Sequence, residues 1–258
     1  SNSVMKAFSV LLLTLFVAAA FSAPHTLRFL HGSPDAPALD IYLNGVRAIK
    51  GLSWTSVSEQ VLVDASETLK VQLYKAEGYQ MLAEWMVAPD NYMLTCPQIF
   101  AIYGLYDDLM WKLVDQHCTP HGQGAVVNAV HLYNGLGEVD ISIDEDGKCT
   151  GVRGIEEHLL WENVPYDLTT DMKKITNPDK GPFEVKIRMS RMPKPMVDTL
   201  MLTAEHGHTY TIFGLGEFVT DPYSVCNSGG TKAESSCPGY DIREGVWIAV
   251  PSVYTSTC

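Results

Sequence analysis

From Leu39 to Leu43 apolar and polar residues alternate, with Leu39, Ile41 and Leu43 on one side and Asp40 and Tyr42 on the other. A period of two puts the two sets on opposite faces of a strand. Asn44-Gly45 follows, a pair suited to the positive φ angles of a tight hairpin turn, and Val46–Ile49 returns. After Trp54 the alternation recurs at Glu59–Val63 and Leu69–Lys75. Met81–Val87 reads as a further strand or one turn of helix, ended by Pro89-Asp90-Asn91. Gln98–Tyr106 is almost continuously apolar, the pattern of a central strand buried on both faces. Asp107-Asp108 then turns into Leu109–Val114. The polar stretch Cys118–Gly124 is the expected linker between a first domain, residues 23–120, and a second, residues 125–258.

The second half runs through the same order. Leu27–Gly45, LRFLHGSPDAPALDIYLNG, is echoed by Val126–Gly147, VVNAVHLYNGLGEVDISIDEDG, with His31 and Asp40 falling on His131 and Asp140. Phe183–Met189 alternates like Leu69–Lys75, Thr199–Thr203 follows, and Phe213-Gly214-Leu215 echoes Tyr103-Gly104-Leu105. The offset drifts from 100 to 110 residues, so insertions are expected in loops, most visibly at Asp167–Pro182 with Lys173, Lys174, Pro178 and Lys180. Many short strands in two copies predict an all-β chain: two tandem Ig-like or Greek-key antiparallel β-sandwich domains with few or no helices after the leader.

That leader is a signal-peptide pattern over residues 1–22. Lys6 precedes the apolar run Val10–Ala20 and small residues around Phe21-Ser22-Ala23, with a short remnant ahead of Met5. The run is too short to predict a membrane span, and none is expected after cleavage. Six cysteines, Cys96, Cys118, Cys149, Cys226, Cys237 and Cys258, fit export and up to three disulfides. Six allow fifteen pairings, of which the short spacings favour Cys96–Cys118 and Cys226–Cys237. The net charge of −12 argues against nucleic acid or anionic lipid as main partner. A secreted or cell-surface location follows.

The crossover between the first two strands is built for rigidity. Pro34 and Pro37 fix φ and donate nothing to a ladder. Ser33 and Asp35 are the residue types that bond to nearby backbone in turns. His31 and Asp40 are placed to meet as an imidazole–carboxylate pair, as are His131 and Asp140. Such a pair pins the crossover structurally, since buried polar groups need partners, and one His with one Asp is short of a metal shell. His206 and His208 are a weak metal candidate, and Asp140–Gly147, with Asp144, Asp146 and Gly147, resembles part of a calcium loop but is incomplete, with Ser142 in the first position and Arg153 in the closing one. No G-x-S-x-G elbow or complete G-x-G-x-x-G is present. No cofactor or catalytic residue is therefore assigned. Trp54, Tyr79, Trp85, Tyr92, Trp111, Trp161 and Trp247 are core candidates, a few of which near loops would form a flat platform for sugar or protein.

The opening stretch resembles the signature of the domain of unknown function 4397 family, V-R-x-x-H-x-S-P-D-A-P-x-V-D-V-Y. It matches at Arg28, His31, Ser33, Pro34, Asp35, Ala36, Pro37, Asp40 and Tyr42, while the second half keeps only His131 and Asp140. The resemblance implies a secreted or surface-exposed β-sandwich, often in tandem, with no catalytic residues to carry over. The expected function is a non-catalytic structural or adhesive module that contacts other copies of itself or an extracellular protein or polysaccharide. The alternative is a secreted enzyme or small-ligand binder using the His/Asp sites.

Overall fold

The computed structural model describes residues 24–92, 96–116, 124–144, 158–175, 178, 182–190, 196–219 and 241–252. The leader, five of the six cysteines and the incomplete calcium turn beyond Asp144 lie outside them. Cys96 is disulfide-bonded, and its partner is among the residues not described.

The first half forms β1 (Pro24–His31), β2 (Leu39–Leu43), β3 (Val46–Leu52), β4 (Val61–Asp64), β5 (Leu69–Lys75), β6 (Met81–Val87), β7 (Gln98–Leu105) and β8 (Asp108–Asp115). The second half forms β9 (Ala125–Asn134), β10 (Val139–Asp144), β11 (His158–Val164), β12 (Lys173–Ile175), β13 (Phe183–Met189), β14 (Met196–Leu202), β15 (Thr209–Val219) and β16 (Asp241–Pro251). Four sheets result, in the orders β4-β1-β7-β8 and β3-β2-β5-β6, then β12-β9-β15-β16 and β11-β10-β13-β14. Adding eight to each strand of the first pair gives the second pair, so the two sandwich-like units share one topology. A 3-10 turn spans Pro89–Asn91, and among the described residues no helix is long and apolar enough to cross a membrane. One pair per unit, β1–β7 and β9–β15, is parallel, which alternation along a single strand cannot reveal.

Register fixes where the copies differ. Equivalent positions lie 100 residues apart in β2/β10, 112 apart in β3/β11 and β7/β15, and 114 apart in β5/β13. The main insertion is therefore between β10 and β11, where the two-residue turn Asn44-Gly45 has become residues 145–157. Asp167–Pro182 is not that insertion. It contains β12, which pairs with β9 as β4 pairs with β1. The aromatic-Gly-Leu echo also shifts: Leu27 faces Gln98 and Val127 faces Tyr210, so Gly104 corresponds to Gly216 and Ile102 to Gly214.

Each unit has its own core. Phe29, Leu39, Ile41, Val71 and Phe100 fill the first, and Val127, Ile141, Val185, Ile187 and Ile212 the second. A third core joins the units, with Leu30, Ile99 and Ala101 packing against Val130, Phe213 and Leu215. It explains why β7 and β9 are apolar on both faces: one face meets its own sandwich and the other meets the neighbouring unit. At its edge Tyr103 Oη donates to Asp167 Oδ1 at 3.0 Å, Lys112 Nζ lies 3.0 Å from the same oxygen, and Arg28 Nη1 donates to the Pro251 carbonyl at 3.2 Å. The molecule is thus four stacked sheets, with β3-β2-β5-β6 and β11-β10-β13-β14 as the outer layers.

Candidate functional site

Both copies carry a fully buried histidine on their first strand, the last residue of β1 and three residues before the end of β9, that shares inward parity with core residues such as Phe29 and Val127. His31 Nδ1 accepts the Ser33 N–H at 3.3 Å, and Nε2 donates to the Pro37 carbonyl at 3.0 Å. His131 does the same with the Tyr133 N–H at 3.3 Å and the Gly137 carbonyl at 2.7 Å. Because Nδ1 faces a donor it must be unprotonated, so each ring is the neutral Nε2–H tautomer. The backbone closes the frame: the Thr55 and Asp167 N–H groups donate to the carbonyls of His31 and His131 at 2.8 and 2.7 Å. The expected imidazole–carboxylate contact is not formed, since both ring nitrogens are engaged by the crossover backbone.

The aspartates hold a different feature. Asp40 Oδ1 accepts the Gly51 N–H at 2.7 Å, and Asp140 Oδ1 accepts the Asn163 N–H at 2.8 Å and the Ser190 hydroxyl at 2.5 Å. Gly51 and Asn163 sit at the register shift between the second and third strands of each unit. Both have left-handed backbone, φ +62° and +53°. A bulge that needs this conformation accepts Gly or Asn with least strain, and the carboxylate satisfies the N–H that the bulge leaves out of the ladder. Asp35 Oδ1 accepts the Ser33 hydroxyl at 3.2 Å and the Tyr106 N–H at 2.9 Å, tying the crossover to the turn after β7. Pro34 is half-buried there.

Burial lowers the pKa of His31 and His131, and of His25, which lies under Tyr92. A base whose folded pKa falls below its unfolded value binds fewer protons folded than unfolded. Its stabilising contribution is complete above the unfolded value near 6.5 and is lost as pH falls below it. A series of thermal melts should therefore show the melting temperature falling from pH 7 to pH 5, with His31→Gln and His131→Gln each flattening that slope.

The weaker candidates resolve locally. His206 Nδ1 accepts the Gly124 N–H at 2.8 Å, and His208 Nδ1 lies 3.1 Å from the His206 carbonyl. Among the described residues no three His, Cys, Asp or Glu side chains converge on a point. Of the aromatic candidates, Tyr92, Trp161 and Trp247 are buried, and Trp85 and Trp111 pack against Phe100. Tyr79 is fully exposed on the β5–β6 hairpin, and Trp54 is half-buried in its loop.

The outward face of β3-β2-β5-β6 holds an arrangement not read from the sequence. Tyr42 on β2 and Tyr74 on β5 meet edge to face, with centroids 4.9 Å apart at 60°. Beside them runs a groove in two connected parts of about 440 and 290 Å³, both bordered by Asp40, Lys50 and Glu77. The second part adds Tyr42, Arg47 and Tyr79. Arg47 Nη1 lies 3.5 Å from Asp40 Oδ2, so the carboxylate that holds the bulge also steadies the guanidinium. The second unit keeps the aspartate, as Asp140, and replaces the tyrosines and cations: register puts Ser142 at Tyr42, Arg188 at Tyr74, Leu159 at Arg47 and Glu162 at Lys50. Its own concavity, about 340 Å³ beside Trp161, is edged by Asp171, which accepts the Trp161 indole N–H at 2.8 Å and pairs with Lys173 at 3.0 Å. Comparing the outward positions of the two copies is the signal that could have found the tyrosine pair.

Residues 25–142 match the model of a family described as Domain of unknown function (DUF4397). The match spans the first unit and continues through His131 and Asp140. No curated protein matches the chain. Among solved structures, one described as alpha-glucan binding by a streptococcal virulence factor is similar at 11% identity and a TM-score of 0.26, covering 73% of this chain and 92% of that one. The CBMbc module of family CBM26 from Eubacterium rectale Amy13K, solved with maltoheptaose, is similar at 12% identity and a TM-score of 0.25, covering 74% of this chain and 93% of its own. Similarity at these scores carries no functional implication.

Proposed function

From a chain whose residues 25–142 match the DUF4397 family model, we propose an exported, non-catalytic binding module that holds an extracellular sugar polymer on the outer face of its first sandwich. The observation that carries this reading is the Tyr42–Tyr74 pair beside the groove, present in one copy and replaced by Ser142 and Arg188 in the other. Sugar rings have apolar C–H faces and hydroxyl edges. Tyrosine offers a flat ring to the first and a hydroxyl to the second, and Asp40, Lys50 and Glu77 supply polar groups around them. The groove lies in the size range of roughly 300–1,000 Å³ common for ligand sites. The edge-to-face contact keeps Tyr42 from turning, so little side-chain freedom is lost on binding.

The signature residues serve this face from behind. His31 braces the crossover, and Asp40 fixes both the Gly51 bulge and Arg47. The Cys96 disulfide fits an oxidising compartment. Electrophoresis of the full chain through gels containing soluble polysaccharides tests the reading. The wild type should be retarded, and Tyr42→Ala with Tyr79→Ala should migrate freely while melting near the wild-type temperature. A wild type that runs unretarded through neutral, carboxylated and sulfated polymers alike would overturn it.

A further inference from the structure

We infer that the polymer is acidic, a sugar chain carrying carboxylate or sulfate groups, and that Arg47 and Lys50 read those groups. The inference rests on the sugar-binding reading above and adds the ligand's charge to it. The chain as a whole carries −12, yet its cations are not spread evenly. On and around the outer face of β3-β2-β5-β6 stand Arg47, Lys50, Lys70 and Lys75 against Asp40, Glu77 and Glu84. In the rest of residues 24–116 only Arg28 and Lys112 face eight carboxylates. The tyrosine face is thus the basic side of an acidic unit, and such a field gathers anions.

Within that field the groove cations have specific surroundings. Lys70 is paired with Glu84 at 2.9 Å, away from the groove. Asp40 gives one oxygen to the Gly51 N–H and the other to a single Arg47 nitrogen. A guanidinium has five N–H donors in a planar fork, so an Arg47 held by one contact keeps donors for a carboxylate or sulfate oxygen pair. Lys50 borders both parts of the groove and adds a point charge. The second copy reverses the pattern, with Leu159 at Arg47, Glu162 at Lys50 and Glu184 at Lys70. The second copy therefore lacks both tyrosines and the cations at the Arg47, Lys50 and Lys70 positions, and its own outward cations, Arg188 and Lys186, stand instead at the Tyr74 and Gln72 positions.

Titration of the full chain with dextran, polygalacturonate and dextran sulfate at low and high salt tests the inference. Binding to polygalacturonate should exceed binding to dextran by about tenfold or more at low salt and weaken as salt rises. Arg47→Gln with Lys50→Gln should abolish that preference, while Lys173→Gln with Lys174→Gln on the second unit should leave it intact. A preference for dextran sulfate over both others supports the inference and identifies sulfate as the group read. Equal affinity for dextran and the two acidic polymers overturns the inference and leaves sugar binding standing. Loss of the preference in the Lys173/Lys174 variant assigns it to general charge and also overturns the inference. No binding to any of the three polymers overturns both readings.

Discussion

Replacing His131 with alanine is expected to lower the melting temperature by roughly 10 °C. The ring is fully buried, and its removal leaves the Tyr133 N–H and the Gly137 carbonyl without the partners they have now. Each orphaned buried group costs about 1–3 kcal/mol, and the cavity left among Tyr166 and Trp247 adds to that. A total of roughly 3–5 kcal/mol at about 2–4 °C per kcal/mol for a chain of this size gives the expected shift. His131→Phe separates the two causes. It restores most of the volume and none of the hydrogen bonds, so it should recover only the cavity part. His31→Ala should act in the same direction in the first unit, through the Ser33 N–H and the Pro37 carbonyl.

Replacing Ala101 with aspartate should uncouple the two sandwiches. Ala101 is fully buried in the layer between them, in the same core as Phe213 and Leu215. A carboxylate there stands opposite Lys112 on β8, a cation already paired with Asp167, and must compete for that lysine, stay desolvated or take up a proton. An uncompensated buried charge costs about 3–5 kcal/mol, but the price falls on the shared layer, because each unit keeps a separate core of its own. Calorimetry should therefore show the wild type melting in one transition and Ala101→Asp in two, with a larger radius of gyration by solution scattering. Lys112→Ala at the partly exposed edge is the control. Removing that ion pair with Asp167 should cost about 0–1 kcal/mol and leave the single transition in place.

Strand existence was legible wherever one face meets solvent. Leu39–Leu43, Leu69–Lys75 and Phe183–Met189 alternate cleanly, and each is a strand with that alternation pointing into its own core. The turn at Asn44-Gly45 was legible for the same reason, and its φ angles of +50° and +82° are those the pair accepts. Gln98–Tyr106 announced burial on both sides, but the second face is covered by the other unit, and no pattern within one strand names its cover. Register between copies was misread at Phe213-Gly214-Leu215, because a three-residue likeness outweighed the hydrogen-bond ladder that only folding reveals. Asn163 could not be matched to Gly51 by type, since their likeness lies in a left-handed backbone that two different residues can adopt. The groove stayed hidden because Tyr42 and Tyr74 stand 32 positions apart and meet only when β2 pairs with β5.

The account as a whole depends on the signature histidines being fixed parts of the scaffold while ligand is held on the far side of the sheet. The most direct measurement is the side-chain nitrogen NMR spectrum of His31 and His131, followed with pH and with added polysaccharide. Both rings should show a bare Nδ1 and a protonated Nε2, should keep that form below the free-histidine value near 6.5, and should not shift when polymer binds. Rings that protonate at or above that value, or that respond directly to the polymer, would place the histidines in the chemistry of the ligand and contradict it.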